Sequence, residues 1–77
     1  MAEHINAVAD ALLKRQEVEH ITGLGRSAIY ARMNPEHPQY DPSFPIPVAV
    51  GSSAVRWVAS EVNDWVAARI AKRDCGH

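Results

Sequence analysis

The sequence predicts a small α+β fold, mostly helical: two short helices joined by a tight turn, one β-hairpin and a C-terminal helix. Three observations carry that prediction. Two segments with helical apolar spacing, residues 15–22 and 26–33, flank Gly23-Leu24-Gly25. Two runs rich in Val, Ile and Trp, residues 46–50 and 54–58, flank Gly51-Ser52-Ser53. A further helical stripe, Val62, Trp65, Val66 and Ile70, follows Ser60.

In chain order, residues 3–13 admit two readings. Ile5, Val8 and Leu12 have helical spacing, which suggests a short helix; the alternative is a tail ending in an extended Ala11-Leu12-Leu13 packed on the core. Residues 15–22 read as a helix with Val18 and Ile21 on one face, stopped by Gly23 in a left-handed conformation. Leu24 is apolar within a tight turn and should point inward. Residues 26–33 read as a second helix. Ile29 and Met33 face the first, which turns Ser27, Tyr30 and Ala31 outward. Gly25 is a weak N-cap.

Pro35, Pro38, Pro42, Pro45 and Pro47 then exclude a helix, and residues 34–45 form a loop, ordered or mobile. The two β-rich runs make a hairpin, with Pro47 on an outer edge. The last helix starts with Ser60 as N-cap and has Glu61 and Asp64 in its first turn, where the helix dipole favours acids. Arg69, Lys72 and Arg73 close it, and residues 74–77 should fray.

Composition bounds the function. Seventy-seven residues make one domain with a thin core and little room for a deep catalytic cleft. The lone Cys75 cannot form an internal disulfide, and there is no apolar run of membrane-spanning length and no leader pattern, so a reducing cytoplasm is expected. Eight Lys/Arg stand against nine Asp/Glu, a net charge of −1, which is not the usual footprint of a nucleic-acid binder. The distribution is uneven, however. Between Lys14 and Arg32 lie four basic residues against Glu17 and Glu19, whereas residues 36–50 hold none. One basic face on a neutral protein is therefore expected.

Two helices joined by a short Gly-containing turn have helix-turn-helix spacing. In that arrangement the first helix braces the second, whose outer face is free to enter a major groove. The residues also resemble a known family. Leu12-Leu13, Glu17-Val18, Thr22-Gly23-Leu24-Gly25-Arg26-Ser27-Ala28-Ile29-Tyr30, Arg32-Met33, Phe44-Pro45-Ile46-Pro47-Val48, Ala54-Val55-Arg56-Trp57 and Ser60-Glu61-Val62-Asn63-Asp64-Trp65 together resemble the AlpA family of prophage regulators, over residues 12–73. The resemblance implies a MerR/excisionase-like winged helix-turn-helix. It divides the chain into an N-terminal extension (1–13), a DNA-binding domain (14–73) and a flexible tail (74–77). Two departures stand out: Gly25 occupies a place where the family usually has Ser or a similar cap, and residues 35–43 are inserted after the second helix.

The candidate DNA-contacting residues are Arg26, Ser27, Tyr30, Ala31, Arg32, Ser52, Ser53 and Arg56. Arg26 can bond a guanine edge or a phosphate and Ser27 a phosphate; the plainer reading is a solvated helix start. Tyr30 either reaches a phosphate through its hydroxyl or covers the helix pair. Arg32 makes a backbone contact or an internal salt bridge. Arg56 enters a minor groove from the wing, where narrow A·T tracts concentrate negative potential, or pairs with Glu61. Ser52 and Ser53 touch phosphate or simply turn the chain. Trp57 and Trp65 lie within apolar patterns and belong to the core rather than to a base-stacking platform. His4, His20, His37 and His77 lack metal-ligand spacing, and neither metal nor cofactor is expected. No nucleophile–base pairing is present, and Glu36 with Asp41 does not make a catalytic dyad, so the chain is not expected to be an enzyme.

The resemblance thus implies a sequence-specific, double-stranded-DNA-binding transcriptional regulator of phage or mobile-element genes, with its second helix in the major groove and its hairpin near the minor groove. Expected partners are DNA, further copies of the chain on DNA, and RNA polymerase or a recombinase; no membrane is expected. Two alternatives stay open. One is an excisionase-like protein that bends DNA for recombination. The other is a protein-interaction adaptor, favoured by the neutral-to-acidic charge and the Pro-rich loop around Tyr40.

Overall fold

A computed structural model describes residues 10–75. The elements are β1 (Leu12–Leu13), α1 (Arg15–Thr22), α2 (Arg26–Met33), β2 (Val48–Ala49), β3 (Val55–Val58) and α3 (Ala59–Cys75). The helices α1 and α2 span the residues expected of them, whereas the strands are shorter than the apolar runs that announce them.

Local chemistry explains the two short helices. At the start of α1 the Glu17 carboxylate accepts the Lys14 N–H at 2.7 Å. This ties down a backbone donor just outside the first turn. Gly23 ends α1 at φ 76°, its N–H bonding Glu19 O at 2.8 Å. Thr22 locks the turn: its hydroxyl donates to Val18 O (2.8 Å) and accepts the Leu24 N–H (3.2 Å). Leu24 then packs against the core, as its apolar character requires. Gly25 caps α2 with extended backbone (φ −82°, ψ 175°) and no side-chain bond.

The sheet has the order β1-β3-β2, antiparallel throughout. Leu12 faces Val58 and Leu13 faces Trp57 on one side of β3; Val48 faces Arg56 and Ala49 faces Val55 on the other. Of the two readings of the N-terminal segment, the extended one holds for residues 12 and 13; most of the alternative helix (residues 3–9) lies outside the described residues.

Ser60 is not the N-cap of α3. The helix begins at Ala59, and its first N–H groups are met from the start of the chain: Ala59 N–H bonds Ala11 O at 2.8 Å and Ser60 N–H bonds Asp10 Oδ1 at 3.1 Å. Once β1 lies beside β3, Asp10 arrives at the helix start and supplants the local hydroxyl. The helix runs to Cys75, and the last two residues of the expected tail lie outside the described residues.

The core is Val18, Ile29, Phe44, Trp57, Val62 and Trp65, with Leu13, Leu24, Met33 and Val66 against it. Two members of the expected apolar faces fall outside. Ile21 lies about 60° round α1 from Val18 and is 39% exposed. Ile70 is 51% exposed, because α3, at about 25 Å, outruns the small core.

The segment after α2 is ordered, and Asp41 organises it. Its N–H bonds Arg32 O at 2.9 Å. Its Oδ1 accepts Ser43 N–H (2.9 Å) and Ser43 Oγ–H (2.6 Å), and its Oδ2 accepts the Trp65 indole N–H (3.1 Å). Phe44 meets Trp65 edge-on at 5.0 Å, and the Trp57 indole donates to Pro45 O at 3.2 Å. Both tryptophans thus bury their rings and satisfy their N–H groups.

Candidate nucleic-acid interface

Tyr30 stands between two shallow hollows. The first is lined by Arg26, Ser27, Tyr30, Ala31, Asn34 and His37 along α2. The second runs from the start of α1 to the hairpin and includes Lys14, Arg15, Gln16, Tyr30, Ser53 and Arg56. The start of α1, α2 and the hairpin therefore present one continuous face.

The cations of this face are braced. The Arg26 guanidinium sits 5.9 Å from the centre of the Tyr30 ring. Arg15 Nε bonds Glu19 Oε2 at 2.8 Å, one turn along α1. That hydrogen bond raises the already high pKa of Arg15; desolvation opposes it, and the Tyr30 hydroxyl adds to it. Arg56 Nη1 bonds the carbonyl of Val55 at 2.8 Å, and Arg56 makes no ion pair with Glu61 among the described residues. Lys14, Arg15, Arg26 and Arg56 thus converge around Tyr30 in a chain of net charge −1. The only acid bonded to one of these side chains among the described residues is Glu19.

The expected contact residues divide into groups. Arg26, Ser27, Tyr30, Ala31, Ser53 and Arg56 share this face. Ser52 is exposed at the hairpin bend but lines neither hollow. Ala31 lines the α2 hollow but is only 8% exposed, so it contributes to the floor of that hollow rather than projecting from it. Arg32 points away from Tyr30. It lines a separate cleft with Tyr40, Asp41, Arg69 and Lys72, and its Nη1 bonds Ala28 O at 3.3 Å. The internal salt bridge that was one of its two expected roles is not formed among the described residues. At 100° per residue, two steps from Tyr30 carry a side chain to the other flank.

Sequence reasoning missed Lys14, Arg15, Gln16, Asn34 and His37. The Lys14-Arg15 pair was visible within the basic window, but only the hairpin's position makes it part of the face. Nothing local marks Asn34 or His37. Among the described residues no helix is long and apolar enough to cross a membrane.

The model of a family described as Prophage CP4-57 regulatory protein (AlpA) matches residues 11–70. Over 64 residues the chain is 34% identical to the DNA-binding transcriptional activator AlpA of Escherichia coli (strain K12), covering 83% of this chain and 91% of that protein. Over 68 residues it is 38% identical to an uncharacterized protein, ORF88, of Enterobacteria phage P4, covering 88% and 70% respectively. No solved structure gives a significant match.

Proposed function

The chain belongs to the AlpA family of prophage regulatory proteins, and from that premise we propose that it is a sequence-specific, double-stranded-DNA-binding transcriptional regulator of phage or mobile-element genes. The observation that carries the reading is the gathering of Lys14, Arg15, Arg26 and Arg56 around Tyr30 on a chain of net charge −1. In this reading α2 enters a major groove from its N-terminal end. Arg26 offers a bidentate donor to guanine O6 and N7, and Ser27 and Tyr30 donate to phosphates. Lys14 and Arg15 neutralise the backbone beside the groove. Ser53 holds the adjoining phosphate, and Arg56 enters the next minor groove. The protein acts in the cytoplasm, without enzymatic chemistry of its own.

A face this small reaches few phosphates, so several protomers on repeated sites supply useful affinity. Each protomer with three or four phosphate contacts gives a salt slope of about −3. Binding that does not respond to salt refutes phosphate-driven docking. The decisive test is selection of bound duplexes from a random-sequence pool, repeated with Arg26→Ala. Wild type should enrich a defined sequence, and the variant should lose that preference. If the variant keeps both sequence and affinity, α2 is not the reader.

A further inference from the structure

The segment that follows α2 extends the same face. Asn34 ends the helix and starts a bonded turn: its Oδ1 accepts the Glu36 N–H at 3.0 Å and its carbonyl accepts the His37 N–H at 2.9 Å. The His37 carbonyl accepts the Tyr40 N–H at 3.0 Å, and Asp41 N–H returns to Arg32 O at 2.9 Å. Pro35 and Pro38 fix φ on either side of His37's immediate neighbourhood. This turn is stiff, and it places His37, exposed, in the hollow that runs along α2 with Arg26, Ser27 and Tyr30. Glu36 does not line that hollow.

The imidazole is committed on one side. Its Nδ1 accepts the Gln39 N–H at 3.0 Å, so the neutral ring carries its proton on Nε2. The hydrogen bond left for the ring to make is one that Nε2 donates, and a phosphate oxygen is an acceptor that such a donor fits. We propose that His37 is a DNA-phosphate contact and that the loop following α2 is a second wing. This rests on the reading of α2 as the DNA-facing helix. A helix entered from its N-terminus leaves its far end beside the backbone, which makes a phosphate, rather than a base edge, the group His37 meets.

His37→Asn separates contact from scaffolding. Asn can accept the N–H of the residue two positions on, as Nδ1 does, but it lacks the outward Nε2 donor. Binding of wild type, His37→Asn, His37→Ala and Arg26→Ala is measured on the duplex that wild type selects and on a scrambled duplex, with melting temperatures alongside. His37→Asn is expected to bind about tenfold more weakly at an unchanged melting temperature. The loss should be equal on both duplexes, because phosphate contacts carry no sequence information. If only His37→Ala is impaired, the ring merely braces the loop and the proposal falls. If both His37 variants match wild type while Arg26→Ala loses affinity, the proposal falls and the reading of α2 stands. Failure of wild type to bind any duplex overturns both.

Discussion

Asp41 is the most exacting test of the structure, because one carboxylate joins the loop to α3. In Asp41→Ala the Trp65 indole N–H, on a residue 8% exposed, loses its acceptor, and Ser43 loses two bonds. A buried donor left unpaired costs about 1–2 kcal/mol, and the exposed Ser43 bonds, which water replaces, add about 0.5 kcal/mol together. A loss of about 2 kcal/mol lowers the melting temperature of a domain this size by about 8–16 °C. Thermal unfolding followed by tryptophan fluorescence and by circular dichroism measures it. A shift under about 2 °C would refute the clamp. Acid supplies an independent check. The Ser43 hydrogen bonds, helped by Trp65 and the nearby Arg69 charge, hold the Asp41 pKa below its ordinary value against the opposing effect of burial. A carboxylate with a lowered folded pKa stabilises fully above its unfolded value of about 3.9, and that stabilisation is lost as pH falls through the folded pKa. Asp41→Asn should therefore lose less stability than wild type between about pH 4 and pH 2. Parallel pH curves for the two proteins contradict the assignment.

Other perturbations test the helix ends. Gly23→Ala forces an L side chain into φ 76° and should cost about 1 kcal/mol, read as a lower urea midpoint at unchanged slope. Gly25 has ordinary negative φ and nothing within 4 Å of an added Cβ, so Gly25→Ser should stabilise by about 0.5 kcal/mol through a restored cap and a stiffer unfolded chain; a lower midpoint contradicts this. Asp10→Ala removes the acceptor at the start of α3 and should lower stability by about 1 kcal/mol, whereas Ser60→Ala should change it by less than about 0.5 kcal/mol; the reverse order restores Ser60 as the cap.

What the sequence disclosed was what short-range chemistry decides. Gly23 and Gly25 bracket a turn that needs a left-handed residue, and α1 ends and α2 begins where those residues stand. Trp57 and Trp65 sit in apolar patterns and are buried. What escaped was decided by distant pairing. Leu12 and Leu13 contain nothing that names Val58 and Trp57 as partners, and Asp10 displaces Ser60 only because that pairing forms. Asp41 looked like a loop acid, since its value lies in an indole 24 positions away. The face around Tyr30 was half visible: Arg26 and Arg56 were its only cations named as contacts, and Lys14 and Arg15 joined them through the fold. Helical phase put Ala31 in the α2 hollow but could not give its 8% exposure, and Arg32, on the flank of α2, lines a separate cleft.

The position of β3 between β1 and β2 makes the protein indivisible. The two helices that would face DNA are eight residues each, too short to hold helical form alone in water. Their floor is Trp57, and the strand that ties α1 to it pairs with residues more than half a chain away. A peptide cut at residues 14–33 should therefore be unstructured. A nascent chain that has not yet released Val58 holds the residues for recognition with no shape to present them, so competence arrives late and all at once in its synthesis.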